Sequence, residues 1–102
     1  AIMGPKAKKE GNDMERRQKP VDVIAVCRAD GTIQPLRLRL EDREQGYVRG
    51  DVVEILRTSE IPYVGIEAKI YQCRVRIEDR ICYLELRYAI RSHTWCLQRR
   101  TF

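Results

Sequence analysis

Two stretches near the carboxyl end alternate between apolar and polar side chains, and their alternations fit together in one hairpin register. In residues 69–77 (KIYQCRVRI), Tyr71, Cys73, Val75 and Ile77 fall on one side, and Gln72, Arg74 and Arg76 on the other. In residues 80–90 (RICYLELRYAI), Cys82, Leu84, Leu86, Tyr88 and Ile90 share a side. A period of two is that of a strand with one buried face. A two-residue turn at Glu78-Asp79 pairs Ile77 with Arg80, then Val75 with Cys82, Cys73 with Leu84 and Tyr71 with Leu86. A slip of one residue sets Cys82 against Arg76, so the pattern selects its own register. The same register predicts Arg74 opposite Tyr83, Arg76 opposite Ile81 and Arg87 opposite Ile70.

Other segments carry weaker forms of the pattern. Residues 21–28 (VDVIAVCR) are rich in β-branched side chains, which suit strands. Ala29-Asp30-Gly31-Thr32 follows, and Asp-Gly between two such runs predicts a tight hairpin turn with positive φ at both central positions. In residues 33–41 (IQPLRLRLE), Leu36, Leu38 and Leu40 alternate with Arg37, Arg39 and Glu41, predicting leucines on a buried face and charges on a wet one. Pro35 cannot donate to a ladder and is expected near an edge or a strand start. Residues 42–46 read as a polar loop. Residues 47–57 (YVRGDVVEILR) are open to strand or short helix and suit strand better, with Gly50 marking a bulge or break. Ser59, Pro62 and Gly65 predict a longer loop over 58–65. After a turn at 91–94, residues 94–99 (TWCLQR) give a last strand, on which Trp95 and Leu97 continue the face of Tyr88 and Ile90.

These segments predict an all-β fold. The expectation is a five- or six-stranded antiparallel meander rolled into a small barrel or half-barrel, because one apolar face must be covered and strand edges hidden.

The charge is uneven. Of the net +5, residues 1–20 hold +3 and residues 21–102 hold +2. Residues 1–18 have no periodic apolar pattern. They are expected to form a flexible, disordered basic tail, with Ala1-Ile2 read as an expression scar, ahead of a single β-barrel-like domain over 19–102. No apolar run approaches the ~20 residues of a membrane-spanning helix. The amino end lacks the apolar core of a signal peptide, so a cytoplasmic protein with reduced thiols is expected.

Familiar reaction chemistries find little support. Cys27, Cys73, Cys82 and Cys96 include no close pair of the kind that wraps a zinc ion. Cys73 and Cys82 alternate with apolar neighbours, as small core residues do. His93 and Cys96 lie three positions apart across a turn, with no third group to orient them as a nucleophile pair. Glu41-Asp42 and Glu78-Asp79 sit at loops, where nothing moves a carboxyl pKa towards general acid work. Arg49-Gly50-Asp51 spells an adhesion tripeptide but is too short to be informative. The glycines form no phosphate-cradling loop. No catalysis, cofactor, metal or small-molecule substrate is expected.

The body resembles a family of small uncharacterised bacterial proteins, the conserved hypothetical kind. The resemblance rests on KPVDVIAV at 19–26, DGTIQPLRLRLED at 30–42, YQCR around Cys73, ELRY at 85–88 and the following Trp95. It covers most of residues 19–98. In that family the turn written here as Glu78-Asp79 is often Asn-Gly, so the resemblance implies the same hairpin with a weaker turn. It implies the fold and the domain limits, and no activity, ligand or functional residue.

The remaining candidate is the polar sheet face. Arg37, Arg39, Arg74, Arg76 and Arg87 with Tyr83 form a face on which cations track phosphates and a ring stacks on a base. Glu85 in its middle, and a body of only +2, weigh against nucleic acid. Ile70, Ile81 and Tyr83 leave an apolar patch there, either a contact surface or covered by the 41–66 segment. Two functions are therefore expected to compete. One is a protein-interaction or assembly module, acting on an unknown partner or on itself. The other is a weak single-stranded nucleic-acid binder.

Overall fold

The alternating segments all form strands. The computed structural model describes residues 19–101. Seven strands run in chain order: β1 (Lys19–Pro20), β2 (Asp22–Cys27), β3 (Ile33–Asp42), β4 (Gly46–Ile61), β5 (Ala68–Ile77), β6 (Arg80–Ala89) and β7 (Thr94–Thr101). They make one antiparallel sheet in the order β1-β7-β6-β5-β4-β3-β2. The sheet curls into a half-barrel. Its two margins belong to one bent segment: Lys19 and Pro20 pair with Leu97 and Cys96, the Val21 amide donates to the Trp95 carbonyl at 3.2 Å, and Asp22 onward pairs with β3. The expected tail at 1–18 lies outside the described residues.

The β5–β6 hairpin has the register its alternation demands. Val75 pairs with Cys82, Cys73 with Leu84, Tyr71 with Leu86, and Ile77 with Arg80. Inside the curl, Leu38, Leu40, Tyr71, Val75, Leu84, Leu86 and Tyr88 are buried, with Trp95 and Leu97 packed against them. Trp95 lies 4.9 Å from the Tyr88 ring and 5.6 Å from Tyr71, within the range of favourable aromatic pairs. The Tyr71 hydroxyl donates to the Ile33 carbonyl, tying β5 to β3 across the interior.

Several expectations need correction. Among the described residues the strands number seven, because the bent first segment contributes two short pieces. Leu36 does not join Leu38 and Leu40 inside. A bulge opposite Ile24 and Ala25 inserts it as an extra residue, so it is 49% exposed and Pro35 turns inward instead. At Asp30-Gly31 only Gly31 has positive φ (92°). The Gly31 amide donates to the Arg28 carbonyl at 2.9 Å, and Asp30 accepts from the Thr32 amide at 3.0 Å, so the turn is longer than a two-residue one.

β4 differs most from its expectation. It is a strand of 16 residues reaching Ile61, so Thr58–Ile61 is not loop. The loop expectation rested on Ser59, Pro62 and Gly65, yet residues 58–61 pair with β5 from Tyr71 to Ala68 while their other side stays open to water. Gly50 marks no bulge: it pairs regularly with Leu38 and Ile77. It is a glycine because a Cβ there would sit 2.9 Å from Val75 Cγ1. The bulges fall three and six residues later, at Val53 and Leu56. Ile90, expected on the core face, is 40% exposed because β6 ends at Ala89 and Ile90 opens the turn.

Candidate binding face

Cross-strand pairing sets the polar residues of four strands in rows on the outer face. One row runs Arg37, Asp51, Arg76, Ile81, and the next runs Glu54, Arg74, Tyr83. The sheet therefore brings Arg37, Arg74, Arg76 and Tyr83 onto one surface. Arg39 lies one row out, directly opposite Arg49. Arg87 lies at the far end of β6, opposite Ile70, and donates to the Ile66 carbonyl at 3.4 Å.

Most of these guanidinium groups are already engaged. Arg37 Nε meets Asp51 Oδ1 at 3.0 Å, and Arg49 meets the other Asp51 oxygen at 3.3 Å. Arg39 pairs with Asp22 and lies over the Tyr47 ring at 4.7 Å. Arg74 meets Glu54 at 2.8 Å. Among the described residues, no carboxylate lies within ion-pair distance of Arg76. Asp22, Tyr47, Arg49 and Ile24 border a surface groove of about 410 Å³ with Arg37 and Arg39. Sequence reasoning missed Asp22, Asp51 and Glu54 as counter-ions, and Tyr47 and Arg49 as members of the face. The period-two run 47-49-51 carried the signal, but only once 47–57 is known to be strand.

Glu85 closes the middle of this face. It is only 8% exposed, yet it accepts from Gln72 Nε2 at 3.0 Å and Gln98 Nε2 at 2.6 Å, with Arg99 at 3.6 Å. Burial raises its pKa, but the two amides and Arg99 outweigh that and hold it below the usual carboxylate value. Ile70 is buried too, at 8% exposure. The 62–67 connection folds back on this end: Ile66 takes the Arg87 contact, and Glu67 takes the Ile90 amide at 3.0 Å and Arg91 at 3.0 Å. Leu56, Ile81 and Tyr83 remain exposed.

The thiols do not assemble a reactive centre. Cys73 is buried, and burial pushes its pKa up to about 12; burial also raises Cys96. His93 Nδ1 is bonded to the Tyr88 hydroxyl at 2.9 Å rather than to Cys96. Among the described residues, no group of three or more His, Cys, Asp or Glu side chains is placed to hold a metal ion. No helix of the described residues is long and apolar enough to cross a membrane. Comparison with protein-family models, curated proteins and solved structures gives no match for this chain.

Proposed function

We propose that the chain is a non-catalytic interaction or assembly module of the cytoplasm, whose outer sheet face docks a protein partner without any cofactor. One observation carries this reading: Leu56, Ile81 and Tyr83 stay exposed among arginines of which Arg37, Arg39 and Arg74 are paired with carboxylates of their own chain. Apolar side chains rimmed by polar groups mark contact surfaces. A phosphate backbone needs available cations, and on this face a strand of nucleic acid has to displace Asp51, Asp22 and Glu54 to reach Arg37, Arg39 and Arg74. An apolar partner surface leaves those pairs in place at its rim.

The test is Ile81→Glu, checked for an intact fold by circular dichroism. The partner that co-purifies with the untagged chain from its own cell is expected to be lost with Ile81→Glu and kept with Arg91→Ala. Single-strand oligonucleotide binding overturns the reading if it falls by about 0.7 log units per log unit of salt for each phosphate and disappears in Arg74→Glu/Arg76→Glu.

A further inference from the structure

The β2–β3 hairpin outruns its neighbours. β4 leaves β3 after the Arg37–Asp51 pair, so residues 33–35 pair with β2 alone. β7 begins at Thr94, and among the described residues β2 has only β3 as a ladder neighbour. β2 is thus an edge strand, held through β3, whose Pro35 is buried and whose Ile33 carbonyl accepts from the Tyr71 hydroxyl.

The free edge of β2 is unguarded. Residues 23–27 read Val-Ile-Ala-Val-Cys, with no charge and no proline, and Ile24 is 58% exposed. A second open edge among the described residues, 52–61 of β4, carries two bulges, at Val53 and Leu56, and the charges of Glu54, Arg57 and Glu60. Bulges and charges are how strand edges avoid pairing with other chains. The protection given to one edge is withheld from the other.

We infer that the β2 edge takes β2 of a second copy of this chain, antiparallel about a two-fold axis at Ala25. This rests on the assembly part of the function proposed above, through an edge rather than the face. The sequence is self-complementary about that centre. Val23 falls opposite Cys27 of the second copy, Ile24 opposite Val26, and Ala25 opposite itself, while Asp22 meets Arg28 at both ends. The Arg28 guanidinium bonds the Gln34 side-chain oxygen at 2.8 Å, and Asp22, although paired with Arg39, has a side chain 68% exposed. Moving the axis to Val26 sets Arg28 against Ile24 and Asp22 against Asp30. Moving it to Ile24 sets Asp22 against Val26. Only the Ala25 centre matches apolar with apolar and charge with opposite charge.

Sedimentation and light scattering of the full chain test this. The wild type is expected to dimerise. Ala25→Glu, which sets two carboxylates opposite each other across the axis, and Arg28→Asp, which faces Asp22, should each weaken the dimer about tenfold or more. Ala25→Cys in a Cys27→Ser background should give a 25–25 disulfide with oxidised glutathione, read by intact mass. A chain that stays monomeric up to about 100 µM, or a dimer indifferent to Ala25→Glu and without that crosslink, overturns the inference. A dimer lost only with Ile81→Glu also overturns it, and assigns assembly to the outer face. A crosslinked β2 dimer whose protein partner ignores Ile81→Glu upholds the edge and removes the face.

Discussion

At the scale of single residues, two side-chain positions carry disproportionate weight. Glu85 pins three strands from the outer face, through Gln72 on β5 and through Gln98 and Arg99 on β7. Its pKa is depressed in the folded chain, so its contribution is complete above the ordinary value of 4.5 and disappears as pH falls through the folded one. Urea stability is therefore expected to decline on acidification, and Glu85→Gln to flatten part of that decline. Asp30 and Glu67, also depressed, retain the remainder. Glu85→Ala removes the acceptor shared by the exposed Gln72 and half-buried Gln98 amides and should cost about 1 kcal/mol at neutral pH. Urea midpoints for both variants at pH 7 and pH 3 check these values. Gly50→Ala drives a methyl group against Val75 and should cost about 1–3 kcal/mol. An unchanged melting temperature would mean that Val75 simply yields.

At the scale of elements, the tightest turn stores strain. Glu78 takes φ of 58°, where an L side chain pays ~1–2 kcal/mol and glycine does not. Glu78→Gly is thus expected to raise stability by about 0.5–1 kcal/mol despite glycine's larger unfolded entropy. A melting temperature unchanged or lowered would contradict the strain. The β5–β6 register was legible because a one-residue slip there sets an arginine against the core side. Leu36 was not legible: alternation counts residues, and a bulge adds one without changing the alphabet around it. β4 was half legible for a related reason. Its apolar residues follow a strict period only between bulges, and residues 58–60 near its end are polar because one side meets water. The arginines of the face could be read from sequence, but not their counter-ions. Asp51 and Glu54 lie in the segment whose parity was ambiguous, and Asp22 reaches Arg39 from another strand.

At the scale of the whole molecule, the interior is held by side chains that cross it as well as by the sheet. The Tyr71 hydroxyl reaches Ile33 in β3, two strands away, where β4 no longer borders that strand. Tyr71→Phe keeps the ring and leaves the Ile33 carbonyl without that donor, so a loss of about 1 kcal/mol is expected. Hydrogen exchange should show the loss concentrated in residues 24–36; uniform loss would contradict a local role. The bent first segment has a different consequence. Pulled from its amino end, the chain would surrender the Leu97 and Cys96 pairings first and the β3 pairings afterwards, like a zip opened from one tooth. The fold therefore resists force least where both margins of its sheet share a single residue, Val21.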